Sequence, residues 1–182
     1  RRFGKSFRFY RLIFNMVALA TVTPIVLYEK SIETEWAFCW QGAMVVLQAL
    51  MIAVALLYFF AGAVHYDFLQ FIGIRQIKDG VSKKTLAGSG EIDTTGVLGV
   101  IRHPWYSGAI IVLWARGLTV ATLITNIILT VYLIMGTYLE EYKLVMEYGD
   151  KYRLYQDKVS MFIPFKFLKS KIRKEERIER VR

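Results

Sequence analysis

The chain has 182 residues, 55% of them hydrophobic, with a mean hydropathy of +0.36 and a formal charge of +9. This is too apolar for an ordinary soluble domain and long enough for only a few membrane spans. The cations crowd the two ends, at Arg1, Arg2, Lys5, Arg8 and Arg11 and again at eight Lys/Arg residues between Lys166 and Arg182, flanking apolar blocks instead of lining a folded face, which argues against a nucleic-acid partner and for lipid headgroups.

Residues 3–11 alternate aromatic and basic side chains, as at a helix entry lying among headgroups. Residues 12–28 are then a span of minimum length that carries Asn15 and an internal Pro24. The exit, residues 29–35, is net acidic, so the positive-inside rule predicts an outer loop and a cytoplasmic N-terminus. The second predicted span is 36–64, almost uninterrupted apolar sequence with Trp36 and Trp40 as an outer aromatic belt. Gln48 is its one strongly polar interior residue, fit either for an interhelical hydrogen bond or for an acceptor contact.

From His65 the texture becomes mixed. Phe68, Leu69, Phe71, Ile72, Ile74 and Ile77 could give an interfacial helix a buried face, and residues 83–93 read as its polar continuation. The run Gly96-Val97-Leu98-Gly99-Val100-Ile101-Arg102-His103-Pro104-Trp105-Tyr106 follows, bringing an arginine and a histidine to the mouth of an apolar helix. That helix is interrupted at Arg116 and Gly117, so it covers only ~20 Å of a ~30 Å hydrocarbon core. Its partner, 120–139, reaches across, and 117–119 reads as a tight turn closing a hairpin. The hairpin returns at Glu140-Glu141, which this folding places beside Arg102 and His103. The stretch from Tyr142 to Val159 is an amphipathic pattern interrupted at Gly149, and residues 166–182 form a basic tail.

The expected architecture is therefore all-α: an integral membrane protein of about four transmembrane helices, the last two a hairpin, with cytoplasmic interfacial helices. Residues 1–165 form one membrane domain, with 96–164 its ligand-binding part. Both termini are expected in the cytoplasm of a bacterial inner membrane. Cys39 is the single cysteine, so no intrachain disulfide forms; His65 and His103 lack metal-ligand spacing, and no metal site is expected. The Arg102, His103, Glu140 and Glu141 constellation has a structural reading, a salt-bridge clasp fastening the hairpin, and a functional one. Both remain open from the residues alone.

Residues Gly96 to Tyr106 with Glu140-Glu141, then Tyr148-Gly149-Asp150-Lys151-Tyr152 with Tyr155, and the closing Val159-Ser160-Met161-Phe162-Ile163-Pro164, resemble the isoprenylcysteine carboxyl methyltransferase and phospholipid methyltransferase superfamily of membrane enzymes. Residues 8–15 and 67–76 look most like its bacterial branch, which includes methanethiol S-methyltransferase. Leu98 departs from the pattern, since the superfamily commonly has an aromatic residue there. The resemblance implies S-adenosyl-L-methionine as cofactor, with contacts from Gly96, Ile101, Arg102, His103, Pro104, Tyr106, Glu140 and Glu141. Chemically, Arg102 and His103 suit the cofactor carboxylate, Glu140 or Glu141 its ammonium, and Trp105 or Tyr106 its flat surfaces. Arg102 and Glu140 are the catalytic candidates, by lowering the acceptor's pKa or taking its proton.

The acceptor would be a small lipophilic thiol arriving from the bilayer past Asn15, Gln48, Arg75 and Gln76. A prenylcysteine carboxylate or a phospholipid amine would also fit. A sterol-type reductase using NADPH and a non-catalytic scaffold are the rival readings. Nothing in the sequence addresses the oligomeric state.

Overall fold

The computed structural model describes residues 9–32, 35–65 and 92–179, of which 76% are helical. Helix α1 (Tyr10–Ser31) carries Pro24 inside it, and α2 (Met44–His65) is the most apolar element. A 3₁₀ turn at Gly96–Gly99 leads to α3 (Pro104–Trp114), followed by α4 (Val120–Tyr148), α5 (Asp150–Lys158) and α6 (Phe165–Glu179).

Two sequence expectations are corrected. The second span does not begin at Trp36: Trp36–Phe38 is a short strand, β1, paired antiparallel with β2 (Leu118–Thr119). Extended backbone at residue 36 and a left-handed Gly42, with φ of 56°, keep the helix from starting before Met44. The fold is thus mostly helical with a two-stranded ribbon, not strictly all-α. The expected tight turn at 117–119 is part of that ribbon, and Gly117 is needed there because a Cβ would lie 2.8 Å from the Trp36 ring.

Helices α2 and α4 are long and apolar enough to cross a membrane. Only 6% and 11% of their apolar windows are buried inside the protein, so these are not the core helices of a water-soluble domain. Leu50, Leu57, Phe60, Ile128, Val131 and Leu139 all point outward.

Helix α3 packs against α2 through small residues. Ala55 is fully buried, Gly62 lies under the Trp105 indole, and a Cβ at Gly108 would come within 3.2 Å of the Ala55 carbonyl. Trp105 Nε1 donates to the Phe59 carbonyl at 3.2 Å, and Trp114 Nε1 donates to Thr130 Oγ1 of α4 at 3.0 Å. At eleven residues α3 is about 16 Å long. Its terminal carbonyls are satisfied by side chains instead of by further helix: Asn126 Nδ2 reaches Leu113 O at 2.7 Å, Gln48 Nε2 reaches Ala115 O at 2.9 Å, and Trp40 Nε1 reaches Arg116 O at 3.0 Å. Arg116 also donates to Asn126 Oδ1 at 2.6 Å and pairs with buried Glu29 of α1 at 3.5 Å, tying the first helix to the end of the hairpin.

Helix α4 starts with a reciprocal capping box between Thr119 and Thr122 and runs unbroken past Glu140 and Glu141. It stops where Gly149 turns left-handed, with φ of 58°, as the interruption read from the sequence predicts.

Candidate functional site

The segment that enters α3 is fixed from both sides before any charged side chain is considered. Gly96 adopts φ of 54°, and Asp93 Oδ1 accepts from the Thr95 amide and hydroxyl, setting the turn that begins the 3₁₀ element. Leu98 is buried and its carbonyl accepts the Tyr155 hydroxyl at 2.6 Å. Ile101 is fully buried and bridges in parallel to Ser160. The Arg102 amide donates to Ser160 O at 2.9 Å and the His103 amide to Met161 O at 3.2 Å. Pro104, buried at the first helical position, starts α3 without an orphan amide. Ser107 then ties His103 O, at 2.9 Å, to Phe162 O, at 3.1 Å.

Arg102 and His103 thus project toward α4, and four charged or titratable residues meet there. Arg102 Nε donates to Glu141 Oε1 at 2.6 Å and Nη2 to Glu141 Oε2 at 3.1 Å, a bidentate pair in which both side chains are more than nine-tenths buried. Arg102 Nη1 donates to the carbonyls of Gln156, at 3.1 Å, and of Val159. His103 Nε2 lies 3.1 Å from Glu141 Oε1, and Gln156 Nε2 donates to Glu141 Oε2 at 2.8 Å. Tyr152 Oη completes the set at 3.5 Å from Oε1. On α5, burial pushes the hydroxyls of Tyr152 and Tyr155 above the ordinary tyrosine range, so both act as neutral donors.

Glu140 is placed differently. Its side chain is 39% exposed, its Oε2 lies 3.9 Å from His103 Nδ1, and that buried oxygen has no hydrogen-bond partner among the described residues. Tyr106 of α3, half-buried, lies beside the same carboxylate, and its ring is 5.7 Å from that of His103. Glu141 is therefore consumed by the protein, whereas Glu140 keeps an acceptor free.

The residues singled out in the sequence divide accordingly. Arg102, His103, Tyr106, Glu140 and Glu141 come together; Ile101 and Pro104 are buried in the segment that carries them; Gly96 is exposed at its start. Gln48 lies at the opposite end of α3, bonded to Ala115 O. Asn15 falls on α1 at a position whose side chain is not described, and Arg75 and Gln76 lie outside the described residues. Gln156 and Ser160 are the residues that sequence reasoning missed. Both sit within the C-terminal run that carries the superfamily resemblance, so the resemblance was the available signal.

The chain is similar to methanethiol S-methyltransferases. It is 34% identical over 96 residues to the enzyme of Pseudomonas deceptionensis, covering 52% of this chain and 36% of that protein. It is 40% identical over 67 residues to methanethiol S-methyltransferase 1 of Bradyrhizobium diazoefficiens, covering 36% of this chain and 24% of the relative. Against the methanethiol S-methyltransferase of Pseudomonas sp. strain GM41 the identity is 29% over 142 residues, covering 78% of this chain and 52% of the relative. The chain thus spans between 24% and 52% of the length of these relatives. The resemblance read from the sequence to this branch stands. No family model matches the chain, and no solved structure matches it.

Proposed function

We propose that this chain is an S-adenosylmethionine-dependent membrane methyltransferase that methylates a small or lipophilic thiol. The observation that carries the reading is the free, buried Oε2 of Glu140 beside a preorganised Arg102–His103–Glu141 cluster, in a chain whose relatives are named methanethiol S-methyltransferases.

The residues present fit such a cofactor. Glu140 would hold its ammonium, the one Arg102 N–H that is not engaged among the described residues would meet its carboxylate with His103, and Tyr106 would cover a flat face. When bound, the cofactor supplies an electrophilic methyl group on a sulfonium. The task of the protein is then placement and exclusion of water, and a cluster at the end of an apolar hairpin serves both. Glu141 neutralises Arg102 and fixes its plane. The clasp reading is absorbed here: Arg102–Glu141 fastens the hairpin and so builds the site. The membrane placement follows the positive-inside pattern, with both termini and this cluster at the cytoplasmic face of a bacterial inner membrane.

The test is a product assay in which the purified protein receives methyl-labelled S-adenosylmethionine with a panel of thiols, a prenylcysteine and a phosphatidylethanolamine. The expected result is a labelled thioether from a thiol and none from the other two. Label in the carboxylate or amine acceptors would replace the substrate assignment, and no transfer to any acceptor would overturn the enzymatic reading.

A further inference from the structure

Helix α6 begins directly after the strap that holds Arg102. Between Phe165 and Lys174 it carries five Lys/Arg residues and no carboxylate. Phe165, Leu168 and Ile172 recur at the spacing of one helical stripe, and all three are well exposed, at 66%, 50% and 57%. Lys166, Lys169 and Arg173 repeat at the same three- and four-residue spacing on the adjoining face. An apolar stripe beside a cationic face is suited to lie in a membrane surface, with the stripe at the acyl boundary and the cations among anionic headgroups. Ile163, two residues before the helix, is exposed as well.

The first turn of α6 is bolted to the site. The Lys166 amide donates to Ser160 Oγ at 3.0 Å, and Lys166 Nζ donates to Gln156 O at 2.7 Å. Ser160 O receives the Arg102 amide, Gln156 O receives Arg102 Nη1, and the Gln156 amide holds Glu141. Two residues thus connect the start of the surface helix to both members of the buried pair.

We propose that α6 docks on anionic phospholipid headgroups of the bilayer that holds the protein, and that this docking sets Gln156 and Ser160, making the Arg102–Glu141 cluster responsive to membrane charge. The inference does not depend on which molecule the site binds. Each basic residue near an anionic surface contributes a modest attraction, so three together are expected to change local opening by at least ~10-fold.

The experiment is amide hydrogen exchange on the full chain in nanodiscs of phosphatidylcholine alone and with about one-third phosphatidylglycerol. Exchange at 165–173 is expected to slow by ~10-fold or more in the anionic discs, and exchange at 152–160 to slow with it. High salt, or Lys166→Glu with Lys169→Glu and Arg173→Glu, should remove both effects. Equal exchange of 165–173 in the two lipids would overturn the docking, whether fast in both or slow in both through apolar insertion alone. Slowing at 165–173 without any change at 152–160 would overturn the coupling. The single Lys166→Met variant, which removes the bond to Gln156 O and keeps the amide bond to Ser160, should retain docking and weaken the response at 152–160, and an unchanged response would overturn the Lys166–Gln156 link. Neither readout uses a methyl donor or acceptor, so it fails or succeeds independently of the methyltransferase reading.

Discussion

Arg102 engages four of its five N–H donors inside the protein, two on Glu141 and two on backbone carbonyls. Such an arginine is held, not free to search for a ligand. Because both members of the pair are buried, removing one leaves an uncompensated charge, and Glu141→Gln is expected to lower stability by about 3–5 kcal/mol. Glu140→Gln, at a half-exposed carboxylate with a free oxygen, is expected to leave the unfolding temperature nearly unchanged. Thermal unfolding of the two variants in the same detergent checks this division, and equal destabilisation would contradict it. The sequence singles out Glu140 as a catalytic candidate but leaves open which of the two glutamates meets a cofactor ammonium and which pairs with Arg102. Adjacent residues on a helix point about 100° apart, so only the packing of α3 on α4 decides which one faces Arg102. That the two charged segments lie toward the same end of the hairpin is legible in the sequence, but the register that brings Arg102 level with Glu141 is set by packing, with Trp114 of α3 bonded to Thr130 of α4.

At the scale of elements, α3 is the short helix on which the site depends, and it is secured mainly by α2. Gly62 is the position where the fit is tightest: a Cβ would lie 2.3 Å from Trp105 Nε1 and 2.5 Å from its Cδ1. Gly62→Ala is therefore expected to displace the indole, break its bond to Phe59 O and cost about 1–3 kcal/mol in a thermal unfolding measurement. An unchanged midpoint would mean that Trp105 does not secure α3. The starts of α3 and α4 are legible in the sequence, because Pro104 and Thr119 are local start signals, whereas α3 ends at Trp114, short of the expected Arg116, and α4 runs beyond the expected Leu139 to Tyr148. It did not display the β1–β2 ribbon. Trp36 to Trp40 is as apolar as the span that follows, and what makes it a strand is pairing with Leu118–Thr119, about 80 residues away. Nor did it separate the roles of Gln48, whose bond to Ala115 O exists only because α3 ends beside it.

For the whole molecule, the two ends of the helix bundle are built differently. One end gathers Arg102, His103, Glu140 and Glu141 and is strapped by residues 159–162. The other caps α3 with Asn126, Gln48 and Trp40 and joins α1 through Glu29 and Arg116. Among the described residues each end holds a buried carboxylate oxygen without a hydrogen-bond partner, Oε2 of Glu140 at the first and Oε2 of Glu29 at the second, but only the first sets that oxygen beside a histidine with an aromatic face at hand. The apolar exteriors of α2 and α4 place this arrangement in a membrane setting, where an unpaired carboxylate oxygen needs a cationic partner. In the function proposed above, this partner is the ammonium of S-adenosylmethionine. The most direct measurement is isothermal titration of the detergent-solubilised protein and of its Glu140→Gln variant with S-adenosylhomocysteine, with NADPH as the control ligand. S-adenosylhomocysteine is expected to bind the unaltered chain, Glu140→Gln to weaken that binding by roughly 10- to 100-fold, the worth of a hydrogen bond to a charged group, and NADPH not to bind. Binding of NADPH in its place, no binding of either, or equal affinity in the variant would contradict it.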